Sequence, residues 1–156
     1  MNLNQEFKIN IVDIGAKFGI HPSFRKSFDF SEFLLIDADA EEIEYLRSLY
    51  QKRNNVNFLS CFVDSQNGVT EYNLYQHPGG NSAFLPDPKS HYWTDLRPGT
   101  SNIVETRNLQ TRSFDDIANE RNLAIDYLKI DVEGKEVEVL QGGKSQLDKN
   151  ILGVRC

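Results

Sequence analysis

Apolar residues along this chain fall into short continuous runs, separated by stretches of helical spacing or of turn-forming residues. The run from Phe7 to Ile14 is rich in β-branched residues and flows into Asp13-Ile14-Gly15-Ala16-Lys17-Phe18-Gly19. A continuous apolar run predicts a strand buried on both faces, as in parallel sheets. A second run, Phe33 to Ile36, ends at Asp37, and a third, Val56 to Val63, is closed by Asp64-Ser65-Gln66-Asn67-Gly68. From Ala40 to Lys52, Ile43, Leu46, Leu49 and Tyr50 recur at helical spacing. Asp39, Glu41 and Glu42 suit the start of that helix, where negative charge meets the positive end of its dipole. The Asn67-Gly68 pair signals a turn, and Val69 to Tyr75 reads as an added strand.

Density of Pro, Gly, Asn and Ser marks Gln76 to Asn102 as irregular, and a connection of that length is commonly functional. Ile103 to Thr111 is a strand candidate. Ser113-Phe114-Asp115-Asp116 has the spacing of an N-cap followed by an acidic third residue, opening a helix to about Asn122. Tyr127 to Asp131 reads as another buried strand. The helix expected from Gly134 to Gln141 turns Val137 and Leu140 inward and stops at Gly142-Gly143. Ile151 opens the next apolar run. Strands alternating with helices predict one α/β domain over residues 1–156, with a mostly parallel sheet and an inserted hairpin-like segment. The closing run Ile151-Leu152-Gly153-Val154-Arg155-Cys156 reads like a strand cut short. The expectation is therefore a sheet truncated after its fifth main strand, whose open edge favours self-association.

Composition narrows the function classes. The 156 residues hold 17 basic and 23 acidic side chains, a net charge of −6, without a basic block. That argues against nucleic acid or an anionic membrane as a partner. No apolar run reaches the length of a membrane span, and MNLNQEFKIN has no signal-peptide core. Two cysteines, Cys61 and Cys156, supply neither a disulfide framework nor a compact zinc motif. The expectation is a reduced, cytoplasmic protein.

Candidate chemistry collects at the predicted strand ends, which carry Asp13, Asp37, Asp64 and Asp131. In parallel α/β sheets ligands bind beyond those ends, where strand order reverses. Gly15 and Gly19 bracket the first strand-to-helix turn, and Asp37 follows Gly15 by 22 residues. That approaches the spacing of roughly 20 at which an acid holds the ribose hydroxyls of a nucleoside cofactor. The competing reading is that Asp37 or Asp39 caps the next helix. A dinucleotide site needs Gly-x-Gly-x-x-Gly, yet Lys17 stands at the second glycine. Asp13 would repel a pyrophosphate but attract an ammonium. S-adenosylmethionine meets that demand, with a ribose diol, an amino-acid ammonium and no phosphate. Asp37-Ala38-Asp39 also imitates the Asp-x-Asp of metal-dependent glycosyltransferases, which leaves the glycine turn unexplained.

Val12-Asp13-Ile14-Gly15-Ala16-x-x-Gly19, Asp37 with Asp39, and the block Leu128-Lys129-Ile130-Asp131-Val132-Glu133-Gly134-x-Glu136-x-x-Val139-Leu140-x-Gly142 resemble the FkbM-type methyltransferases. The resemblance covers nearly the whole chain and implies a Rossmann-like methyltransferase sheet. It also implies S-adenosylmethionine-dependent O-methylation of a hydroxyl on a saccharide or secondary metabolite. Carried over, Asp13, Gly15, Ala16 and Gly19 line the methionine side of the cofactor. Asp37 holds the ribose where the family usually has glutamate, with Ala38 in place of a frequent proline. Lys17 replaces a frequent asparagine. Asp64 lies near the adenine, and Asp131 and Glu133 lie beside the transferred methyl as catalytic candidates.

For the acceptor, a small molecule or glycan, Asn81, Ser82 and His21 are the expected binding residues. His21, His77 and His91 are all possible bases, and Tyr92 and Trp93 are candidates for stacking on a sugar. Asp131 either takes the hydroxyl proton or acts purely through its charge, and Glu133 either assists or caps the helix at Gly134. A cofactor-binding but catalytically incomplete module is the alternative function.

Overall fold

The computed structural model describes residues 8–85, 87, 89, 99–100, 102–149 and 151–156. His91, Tyr92 and Trp93 lie outside the described residues. Five strands form one all-parallel sheet: β1 (Ile9–Ile14), β2 (Ser31–Asp37), β3 (Val56–Ser60), β7 (Tyr127–Ile130) and β8 (Gly153–Arg155). Their order is β3-β2-β1-β7-β8, so the direction of winding reverses between β1 and β7. This is the Rossmann-like arrangement, and the reversal point is where such sheets bind ligands.

Alternation along the central strands explains the two-sided core. Val12, Ile14, Leu34 and Ile36 face one side, where they pack with Phe114, Ile117 and Ala118 of α2 (Phe114–Glu120) and Val139 of α3 (Glu136–Gly142). Ile11, Phe33 and Leu35 face the other, against Phe24 and against Leu46 of α1 (Ala40–Leu49). Strands buried on both faces cannot alternate apolar with polar, which is why their sequences read as unbroken hydrophobic runs. Asp39 caps α1 by accepting from the amides of Glu41 and Glu42, and Ser113 caps α2 through the Asp116 amide. Both caps follow the sequence signals.

The run expected as one strand from Val56 to Val63 breaks at Cys61. The Cys61 amide donates to the Asp37 carbonyl at 2.8 Å, and the chain leaves the main sheet there. Phe62–Asp64 becomes β4 of a second sheet, ordered β4-β6-β5, with β5 at Gly68–Tyr75 and β6 at Ile103–Ser113. β6 pairs parallel with β4 and antiparallel with β5. The Asn67-Gly68 turn therefore separates two strands that flank β6 rather than pair with each other.

Three local expectations are corrected. Residues Pro22–Phe30 between β1 and β2 are a 3-10 segment, opened by His21 and Pro22. The last long helix, α3, begins at Glu136, because Glu133 and Gly134 have φ of 52° and 105° and the Glu136 carboxylate accepts from the Val132 and Gly134 amides. With that start Val139 is fully buried and Val137 is 61% exposed, so the inward face is Val139, not Val137. Gly142 lies inside α3, and Gly143 joins it to α4 (Lys144–Leu147).

Gly142 is required by a close approach rather than by a helix stop. A Cβ there would stand 2.2 Å from the Asp64 carbonyl oxygen, a main-chain atom that cannot swing aside. Gly142→Ala is expected to cost about 2–3 kcal/mol as α3 is forced off the end of β4. Urea denaturation reads this directly; a change below about 0.5 kcal/mol, the usual range for surface substitutions, would contradict the packing.

Candidate functional site

The turns leaving β1 and β7 touch through their main chains. The Asp131 amide donates to the Ile14 carbonyl at 2.9 Å, and a Cβ on Gly15 would fall 1.8 Å from the Asp131 carbonyl oxygen. Gly15 has φ of 77°, so both its conformation and its space exclude a side chain. Beyond this junction opens a cleft enclosing about 710 Å³, the part open to solvent included.

One wall comes from the main sheet, with Gly15, Asp37, Ala38 and, past β7, Asp131 and Glu133. The other comes from Phe62 and Val63 of β4, Tyr72 of β5 and Asn81. Asp37 is only 7% exposed. Its Oδ1 accepts from the Asp39 amide at 2.9 Å, and burial raises its pKa to about 6. Asp131 is open to solvent at the far end, with Oδ2 3.6 Å from the Lys129 ammonium. Glu133 beside it is raised above the ordinary carboxylate range, first by desolvation and then by the Asp131 and Glu136 charges.

Of the twelve residues singled out in the sequence, Gly15, Asp37, Ala38, Asn81, Asp131 and Glu133 line the cleft. The other six are not among its lining residues. Asp13 is 1% exposed with Oδ1 2.9 Å from Lys129 Nζ, which also donates to the Gly15 carbonyl at 2.9 Å. Its carboxylate therefore already faces an ammonium from within the chain. Burial outweighs that cation and lifts the Asp13 pKa to about 6. Ala16 is fully buried, and its amide and that of Gly15 both donate to the Ile36 carbonyl. Gly19 has φ of 92° and packs under Tyr50, whose hydroxyl accepts from the Ile20 amide. Asp64 turns to Lys135 at 3.2 Å. Ser82 donates from Oγ to the Glu133 carbonyl at 2.8 Å, bracing the turn that presents Glu133. His21 caps the 3-10 segment by accepting from the Ser23 amide. Partial desolvation, then Arg155 and Lys129, lowers its pKa.

The sequence reading missed most of the second wall. Phe62, Val63 and Tyr72 belong to a sheet whose position no local pattern announces, and Cys61 lines the cleft only because the chain changes sheets there. Lys17 also lines the cleft, paired with Asp39 at 3.5 Å. The second acid of Asp37-Ala38-Asp39 is thus engaged as a helix cap and ion-pair partner.

Strand order, glycine turn and the acid ending β2 define an α/β domain of Rossmann-like methyltransferase type. The family model of the methyltransferase FkbM domain matches residues 13–154, and the chain belongs to that family. Comparison with curated proteins and with solved structures returned no match. Among the described residues no helix is long and apolar enough to cross a membrane.

Burial of Asp37 has a consequence for stability. With a folded pKa of about 6 against an ordinary 3.8, the native state holds more protons than the unfolded chain across that window. This contribution therefore weakens the fold as pH rises through the window, and neutral pH carries the full cost. Asp37→Asn keeps an oxygen for the Asp39 amide and removes the charge. It is expected to stabilise the protein by about 2 kcal/mol at pH 7.5, with little change at pH 4. Urea unfolding at both pH values tests this; an equal effect at the two would contradict it.

Proposed function

We propose that the protein is an S-adenosylmethionine-dependent O-methyltransferase acting on a hydroxyl of a saccharide or secondary metabolite. The observation that carries this reading is the nearly buried Asp37 carboxylate at the end of β2, lining a cleft at the strand-order reversal. A carboxylate there can accept hydrogen bonds from both hydroxyls of a ribose.

The residues present fit the cofactor. Asp37 would hold the ribose, and the apolar surface of Ile36, Cys61, Phe62 and Val63 suits an adenine ring. Gly15 lines the cleft beside Asp131 and Glu133, whose negative charge favours a cationic centre. When bound, S-adenosylmethionine supplies a methyl group activated on a sulfonium.

Glu133 is suited to take the acceptor hydroxyl proton, because desolvation and the neighbouring carboxylates raise its proton affinity and its carbonyl is pinned by Ser82. Asp131, with Lys129 beside it, contributes a fixed negative charge. Asn81 borders the side on which an acceptor would enter. Orientation of the hydroxyl and exclusion of water supply the remaining rate enhancement.

Calorimetry with S-adenosylhomocysteine is expected to show binding that Asp37→Ala weakens at least about tenfold, the loss of one or more charge-assisted hydrogen bonds. Absence of binding to the native protein would sink the reading. Transfer of labelled methyl to hydroxyl compounds but not to amines tests the oxygen assignment, and the reverse preference would overturn it.

A further inference from the structure

Tyr72 is unused by the reading above. It sits on β5 of the second sheet, is 9% exposed, and packs its ring edge-on against Phe62 with centroids 5.6 Å apart. It lines the cleft, and the Asn81 side chain is a hydrogen-bond partner of its hydroxyl. A phenol buried to this extent ordinarily finds a partner. Its neighbours fix what it offers. Asn81 Oδ1 accepts from the Tyr75 amide at 2.9 Å, which turns the amide –NH₂ end of Asn81, the donor, toward its surroundings beside Tyr72. Desolvation, with the Asp37 and Asp39 charges, keeps the phenol protonated well above neutral pH. Tyr72 therefore presents an O–H donor on the wall facing Asp37, which can only accept while ionised.

We propose that Tyr72 is a nucleoside-binding residue: its hydroxyl donates to a ribose oxygen whose own protons go to Asp37. Each ribose hydroxyl carries one proton and two lone pairs, so an acceptor on one wall and a donor on the other satisfy both needs of the diol. The proposal rests on the cofactor reading and adds a contact from the second sheet. It also gives that sheet a function beyond closing the cleft: it selects a nucleoside that keeps its hydroxyls.

The test is calorimetry with S-adenosylhomocysteine and with methylthioadenosine, which keeps the nucleoside and lacks the amino-acid arm. Tyr72→Phe retains the ring against Phe62, so its melting temperature is expected to stay near that of the native protein. Its affinity for both probes is expected to fall by about tenfold. In the Asp37→Asn background the same substitution is expected to cost less than about threefold, because the diol is no longer held. Unchanged affinity for both probes, or a loss confined to S-adenosylhomocysteine, would overturn the assignment of Tyr72 while leaving the cofactor reading intact. No binding by the native protein would remove both.

Discussion

One buried ammonium holds the central junction together. Lys129 on β7 lies opposite Asp13 on β1, and its Nζ reaches the Asp13 carboxylate, the Gly15 carbonyl and, more distantly, Asp131. Three pieces of chain that must meet where strand order reverses are thus tied by a single side chain. Its stabilising value is small, since two charges lose hydration to form the pair and the Asp13 pKa is still lifted by burial. What the arrangement supplies is register: a slip of one residue between β1 and β7 would bury both charges unpaired. The glycine turn and the Asp131 turn can then approach within main-chain contact.

That tie makes the two ends of the site different. Near Lys129 the cleft floor carries Asp131 and Glu133, two carboxylates within reach of solvent. Toward β2 it carries Asp37, almost shut off from water and correspondingly costly to ionise. Chemically similar groups are thereby given separate characters by burial alone. An acid whose desolvation outweighs its internal partners, here the Asp39 amide and Lys17, is the expected signature of a binding position, because a further donor can compensate the remainder.

The main sheet was legible because its strands are buried on both faces and so read as continuous apolar runs ending in acids. Caps at Asp39 and Ser113 were equally plain, being local chemistry. The second sheet was not. Its strands were visible one by one, but their order, with β6 between β4 and β5, is set by non-local pairing that leaves no spacing in the sequence. For the same reason Asp37, Asp131 and Glu133 could be picked out while Tyr72 and Phe62 could not. Asp13 shows the opposite failure: its type and place invited a ligand, but Lys129, distant in sequence and paired with it on the neighbouring strand β7, already faces it. A spacing rule sees an acid at a turn and cannot see the ammonium across the sheet.

The same contacts bear on whether the turn suits a phosphate-bearing ligand. Phosphate binding at a strand-to-helix turn needs free amides and an uncommitted cation. Here the Gly15 and Ala16 amides are spent on the Ile36 carbonyl, and Lys17 and Lys129 each stand against a carboxylate. The segment that follows is a 3-10 stretch capped by His21, so the aligned dipole of a long α-helix is missing as well. With Asp37, Asp131 and Glu133 around the cleft, the field favours a positively charged ligand over a pyrophosphate. A sulfonium-bearing ligand of the kind proposed above would suit that field, since the Lys17 ammonium, which alone would favour an anion, is balanced by Asp39.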